Sequence, residues 1–340
     1  MDKKYIDVAL QGGGAHGAFT WGVLDRLLED ERLHIEGVSG TSAGAMNAAI
    51  LANGFAKGGP QGAKEALHNF WWEISELGKI YSPLKRTGLE ELNDEWNLDW
   101  SLSYNFASLL SRLISPYQTN PLNLNPLRWV LEKTLDLKIL QTCEQVKLFI
   151  TATNVRTGQP RVFKEHEITI DVLLASACIP FIFQAIEIQG EAYWDGGYMG
   201  NPAIWPLIYQ TQTSDVLLIQ VNPIYREDLP DTSHEIINRL NEITFNSSLI
   251  AEMRAIEFVC RLINKGVLTD NHYKNLKIHA IQAVKAMGNL NASSKMNTSW
   301  KFFNHLKTIG YDAAHEWLKV NFDSIGKEST IDIRKEFLRK

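Results

Sequence analysis

The pentapeptide Gly40-Thr41-Ser42-Ala43-Gly44 is the sharpest chemical signal in this chain of 340 residues. Between a strand and a helix, a G-x-S-x-G turn throws the serine hydroxyl above the sheet as a nucleophile, and Gly40 and Gly44 spare the turn a clash. The first N–H groups of the next helix then face the site and stabilise developing negative charge. A plainer reading is a tight turn with Ser42 capping that helix. Upstream, Gly12-Gly13-Gly14-Ala15-His16-Gly17 can converge its backbone N–H groups on an anion. Gly12, Gly14 and Gly17 fit the G-x-G-x-x-G dinucleotide fingerprint. The same loop also fits an oxyanion hole, with the Gly13 and Gly14 N–H groups on an acyl oxygen.

The next strand separates these readings. A dinucleotide fold usually ends that strand with an acid for the ribose hydroxyl. Here the nearby acid, Glu36, lies early in the strand, and the strand end holds the serine turn. Two adjacent strand-to-helix turns, one lined by N–H groups and one bearing a serine, suit acyl transfer better.

The serine also needs a base. A serine triad on such a sheet would take an acid and then a histidine. His234, His272, His279, His305 and His315 come late enough, but none falls at a strand-end loop, and they are expected on the helical surface. Trp194-Asp195-Gly196-Gly197 does end a strand, and its paired glycines let Asp195 be approached closely. A partly desolvated carboxylate can take a serine proton without histidine, because burial raises its proton affinity. Taken alone, Asp-Gly-Gly is more often a turn.

The elements that must position these residues follow from periodicity and punctuation. Strands fit Tyr5 to Leu10, Ile35 to Ser39, Lys147 to Thr153, Arg161 to Phe163, the stretch ending at Asp195, Asp215 to Val221, and Leu276 to Ile281. Helices fit His16 to Asp30, Ala43 to Asn53, Gly62 to Leu77, Leu127 to Leu135, Ile170 to Ala177 and Ala203 to Gln210, with a turn at Gly58-Gly59-Pro60. After Pro230 the chain is mostly helical, over Ile236 to Leu262, Thr298 to Val320 and Ile331 to Leu338. Strands alternating with helices predict an α/β fold, a mainly parallel sheet flanked by helices. Residues 1–230 are assigned to the catalytic domain and 231–340 to a mostly helical C-terminal region, packed on that domain or separate from it. Periodicity fades over 79–126, a stretch read as an insertion or lid. The aromatic residues between Trp71 and Trp129 either face lipid or pack an irregular subdomain.

Composition narrows the classes. The net charge of −5 gives no basic surplus for nucleic acid. Cys143, Cys178 and Cys260 show no CxxC spacing and read as reduced, small apolar residues. No acidic cluster suggests calcium, and neither a metal nor a cofactor is expected. No signal peptide or membrane span is visible; the apolar run Val172 to Ile186 contains Ser176, Pro180 and Gln184 and reads as a buried helix and strand. A cytoplasmic protein is expected, with a peripheral membrane contact left open.

The glycine loop, the Ser42 turn and the later Asp-Gly-Gly together resemble the patatin-like phospholipases over about Tyr5 to Val221. Ala175-Ser-Ala-Cys-Ile-Pro is similar to the family block before the aspartate, and Asn154 sits in a similar strand-end block. The resemblance implies a three-layer α/β/α fold and a Ser–Asp dyad. It makes Ser42 the nucleophile, Asp195 the base, and Gly13, Gly14 and Ala43 the oxyanion donors. Gly12, Gly17, Gly40, Gly44, Gly196 and Gly197 supply the motif backbone. It also implies a lipid acyl-ester substrate, phospholipid or lysophospholipid. One departure is His16, where many members carry Arg or Lys; it is read as a surface residue at the helix start. Two other classes stay open: a nucleotide-binding oxidoreductase using Gly12 to Gly17, and a non-enzymatic binding protein on a hydrolase fold. The C-terminal helices are a candidate homodimer surface.

Overall fold

The computed structural model describes residues 3–81, 96–98, 101, 113–268, 273–288 and 290–339. β1 (Lys4–Leu10) and β2 (Leu33–Gly40) run parallel, joined by α1 (Gly17–Leu28). α2 (Ala43–Tyr81) leaves the serine turn and breaks at Gly58 and Gly59. The break matches the turn expected there; Gly59 takes a left-handed φ of 61° that other residues avoid. α3 (Pro126–Thr134) and α4 (Leu137–Gln141) lead into β3 (Lys147–Asn154). Asn125 and Asp136 accept N–H groups at the starts of these two helices, which have no intrahelical partner. β4 (Pro160–Lys164), α5 (Ile170–Ser176), β5 (Ile186–Ile188) and β6 (Glu191–Asp195) follow, then α6 (Trp205–Gln210) and β7 (Asp215–Gln220). The C-terminal part supplies α7 (Ser233–Asn264), β8 (Lys277–Gln282) and α8 (Trp300–Asn321).

The sheet has eight strands. β3, β2, β1, β7 and β8 are parallel neighbours, whereas β4 and β6 pair antiparallel with β3, and β5 pairs antiparallel with β6. The parallel part was expected; the antiparallel edge adds the short strand β5, which has too few residues to show a pattern. Parallel strands need covering on both faces, and alternation sorts the side chains between two cores. Ile6, Val8, Leu10, Leu217 and Ile219 join the side of α1, α2, α5 and α8. Ala9, Val216 and Leu218 join the side of α6 and α7, with Ile204, Leu249 and Met253. The result is three layers.

One edge of β3 does the positioning. β4 runs along its far side from Phe149 to Thr153. On the near side β2 pairs up to Gly40↔Ile150, and β6 takes over at Ala152↔Asp195. The end of β2 and the end of β6 therefore meet two residues apart, about 7 Å along the strand.

Of the expected insertion, residues 82–95, 99–100 and 102–112 lie outside the described residues, including Trp100, Tyr104 and Phe106. Two of the aromatics between Trp71 and Trp129 pack inward. Trp71 donates to Asn47 Oδ1 at 3.0 Å, and Trp96 stacks on Phe302 with centroids 5.2 Å apart.

α8 crosses α1 with backbones in contact. A Cβ on Gly22 would fall on the Lys307 carbonyl, and one on Gly310 on the Phe19 carbonyl. Replacing a helical glycine by alanine ordinarily gains about 1 kcal/mol. Here overpacking of about 1–3 kcal/mol opposes and exceeds that gain. Gly22→Ala and Gly310→Ala are each expected to lower the urea midpoint of unfolding; a raised midpoint would refute the close crossing.

Candidate active site

The loop after β1 is tied down before it reaches its glycines. The Oε1 of buried Gln11 accepts the N–H groups of Val221 (2.9 Å) and Asn222 (2.8 Å), and its Nε2 donates to Asn246 Oδ1 at 2.9 Å. Gly12 N–H donates to Asn201 Oδ1 at 2.7 Å, and Asn222 Nδ2 donates to the Gly12 carbonyl at 2.7 Å. A Cβ on Gly12 would lie 2.7 Å from both Ser42 Cβ and the Thr41 carbonyl, so this loop is pressed against the serine turn. Among the described residues no acceptor takes the N–H groups of Gly13, Gly14 or Ala43.

Ser42 is 9% exposed and holds a left-handed φ of 55°, sparsely populated for a residue with a side chain. Its neighbours enforce that geometry. Ser42 N–H donates to Ser176 Oγ at 3.0 Å, Gly44 N–H to the Thr41 carbonyl at 2.8 Å, and Thr41 Oγ1 to the Gly200 carbonyl at 2.6 Å. A Cβ on Gly40 would sit 2.5 Å from the Gly44 carbonyl, which explains the small residues flanking the turn.

Asp195, 1% exposed, closes β6. Its N–H donates to the Cys178 carbonyl at 2.8 Å, its carbonyl accepts from Thr153 Oγ1 at 2.8 Å, and Oδ1 accepts from Gly197 N–H at 2.7 Å. Burial pushes its carboxyl up to about 7; the Gly197 N–H, the Ser42 hydroxyl and the charge of Lys295 pull the other way. The Ala175–Pro180 block is a strut touching both halves of the site, through Ser176 to Ser42 and through Cys178 to Asp195. Asn154, by contrast, caps a turn, with Oδ1 accepting from the Arg156 and Thr157 N–H groups.

The structure brings together the glycine loop, Ser42 and Asp195, and it corrects the reading of two histidines. His16 is buried, not on the surface. Its Nε2 lies 2.7 Å from Ser294 Oγ, which itself donates to the Asn291 carbonyl, so His16 is the donor. Burial and the charges of Lys295 and Arg226 hold its pKa well below the usual value, and the ring is neutral. His279 is buried on β8, not on a helical surface, 3.1 Å from Asp215 Oδ1 and packed against Trp317. Asp215 begins β7, at the opposite end of the parallel strands from Ser42. His305 and His315 are exposed; His272 and the side chain of His234 lie outside the described residues.

Glu36 accepts from Gln212 N–H, Thr213 N–H and Lys147, away from the glycine loop. No cluster of His, Cys, Asp and Glu among the described residues could hold a metal. The three cysteines are free. Sequence reading missed Asn201, Asn222 and Lys295, and it placed Ser176 in a family-like block without giving it a role. Asn201 follows Asp-Gly-Gly closely enough to have been suspected, whereas Lys295 sits in no motif.

A family model for patatin-like phospholipase matches residues 8–208. The chain belongs to the patatin-like phospholipase family. Membership supports lipid acyl hydrolysis. Among solved structures, VipD from Legionella pneumophila aligns at 16% identity and TM-score 0.43, over 99% of this chain and 73% of that one. ExoU in its heterodimeric complex with SpcU, from the type III secretion system of Pseudomonas aeruginosa, aligns at 16% identity and TM-score 0.41. That alignment spans 100% of this chain and 58% of the other. No curated protein matches.

The buried carboxyl has a consequence for stability in this patatin-like chain. Asp195 titrates near 7 when folded and near 3.8 when exposed. The folded state therefore holds the extra proton between those values, and stability is lost as pH rises through about 7. Asp195→Asn keeps the acceptor for Gly197 and removes the charge. It is expected to be more stable than the wild type at pH 8, on the order of 2–4 kcal/mol, with the difference vanishing below pH 4. Thermal unfolding across this range checks it; an equal gain at pH 4 and pH 8 would rule it out.

Proposed function

We propose that the protein is a serine acyl hydrolase acting on lipid acyl esters, with Ser42 as nucleophile and Asp195 as base. The observation that carries this is the meeting of a left-handed serine at the end of β2 with a buried carboxylate at the end of β6. As Ser42 Oγ bonds to the ester carbonyl carbon, its proton passes to Asp195. The carbonyl oxygen becomes an oxyanion, facing the N–H groups of Gly13, Gly14 and Ala43, each worth about 3–4 kcal/mol in such a role. The C–O bond to the alcohol breaks, the alcohol leaves with the proton from Asp195, and the acyl group stays on Ser42. Water then repeats the sequence, giving its proton to Asp195 and freeing the acid.

The Asp195 pKa near 7 suits a base working at neutral pH, where it is ionised enough to accept a proton and basic enough to hold it. Phospholipid or lysophospholipid is the proposed substrate, reached through a peripheral membrane contact. No helix of the described residues is long and apolar enough to cross a membrane.

A fluorophosphonate probe is expected to label the wild type and not Ser42→Ala. Asp195→Asn is expected to lose about 10²–10⁴-fold in kcat/KM on phospholipid vesicles. In the wild type kcat/KM is expected to rise with pH through about 7, because only the ionised carboxylate can take the proton. Labelling in Ser42→Ala, or wild-type activity with Asp195→Asn, would overturn the dyad.

A further inference from the structure

A short turn from the C-terminal part, Ala292–Met296, lies against the glycine loop. A Cβ on Gly14 would sit 2.5 Å from the Lys295 carbonyl and 3.3 Å from Lys295 Cβ, so the two backbones are in contact. Ser294 Oγ accepts a hydrogen bond from His16 Nε2 at 2.7 Å. The half-buried Lys295 donates from Nζ to Asn222 Oδ1 at 2.6 Å, and Asn222 in turn holds the Gly12 carbonyl. A hydrogen-bonded chain thus runs from an ammonium to the first glycine of the loop. The stretch leading into the turn is held by Arg226, which donates to the carbonyls of Gly288 and Leu290 and pairs with Glu242 of α7 at 2.7 Å.

The charges around this ammonium do not neutralise it. Four titratable or charged groups face Lys295: Glu242 of α7, Arg226 of the loop after β7, Asp195 at the end of β6, and the neutral His16. Glu242 is already shared between Arg226 and Arg239. Among the described residues Lys295 is in no ion pair, and its one acceptor is the neutral amide of Asn222. Asp195 is thus the carboxylate left to feel its field, while Cys178 and Tyr198 beside it are neutral, both raised by burial first and by its charge second.

We infer that Lys295 is a positioning residue of the active site, its ammonium locking the glycine loop through Asn222 and Gly12. The inference rests on the Ser42–Asp195 reading. It extends the site beyond residue 208, where the family match ends. Burial pushes the Lys295 ammonium down to about 8, so its charge is itself lost in mild alkali. A chain that depends on that charge shows a second limb: kcat/KM rises through about 7 as Asp195 ionises, then falls through about 8 as Lys295 loses its proton.

The test is the pH profile of kcat/KM for full-length wild type, Lys295→Arg and Lys295→Gln on one uncharged ester, p-nitrophenyl butyrate, alongside fluorophosphonate labelling. Arginine stays charged throughout this range, so Lys295→Arg is expected to keep the rising limb and lose the falling one. Lys295→Gln is expected to lose at least tenfold in kcat/KM near pH 7.5. A falling limb that persists unchanged in Lys295→Arg overturns the inference, and so does a folded Lys295→Gln that keeps wild-type kcat/KM at pH 7.5. Should Lys295→Gln fail to fold, the Lys295→Arg profile decides alone. A wild type that is neither labelled nor active sinks the Ser42–Asp195 reading instead.

Discussion

Asp195, a carboxylate buried beside the Ser42 turn and faced by groups that favour its charge, is the constraint around which the site is organised. Removing Asp195 from water favours its neutral form, and a buried charge without partners costs several kcal/mol. The surrounding structure offsets that cost piecewise. Gly197 supplies an N–H at 2.7 Å, Ser42 a hydroxyl, and Lys295 a positive field. Each comes from a different stretch of chain, so the ionisable carboxylate exists only in the complete fold. Its backbone is fixed as firmly, through Cys178 and Thr153.

The sheet supplies the remaining precision. β3 carries the ends of β2 and β6 on one edge, two residues apart, so rigid strands set the spacing between serine and carboxylate. Flexible loops hold such a spacing less precisely than strands do. The left-handed Ser42 is a strained backbone position, and such strain persists only where surroundings over-determine it. Here Ser176, the Thr41–Gly44 bond and the contact with Gly12 do so. Because Gly12 touches the serine turn, the two glycine-rich turns form a single packed object.

Much of this was legible in the sequence because it is encoded locally. Val8 to Leu10 and Val216 to Ile219 are unbroken apolar runs, the signature of strands covered on both faces. Ser42 and Asp195 were flagged by adjacent glycines, since a turn forced against other backbone leaves no room for Cβ. Polar contacts between distant segments have no such signature. Asn222, Ser176 and Lys295 are ordinary residue types in ordinary settings, and only the tertiary fold brings them to the site. His16 misled for the same reason: a helix start is usually solvated, but here the Ser293–Lys295 turn, nearly 280 residues later, covers it. His279 misled because the chain end packs over β8, through Thr330 and Trp317, and buries what would be an exposed edge.

That covering turn also changes what the C-terminal part is for. α8 crosses α1 with backbones touching at Gly22 and Gly310, and α1 begins at the end of the glycine loop. β8 adds to the sheet beside β7, whose end is tied to Gln11. The loop is therefore gripped from three directions: through Gln11 to β7, through α1 to α8, and through Asn222 to Lys295. Only the first of these lies within the part of the chain where motifs could be read. A glycine-rich loop is the least self-stabilising kind of backbone, since each glycine loses more conformational freedom on ordering than any other residue. Oxyanion stabilisation depends on N–H groups already aimed before the charge develops. The entropy lost in aiming them has to be offset by contacts outside the loop, and in this chain two of those three contacts come from beyond residue 280.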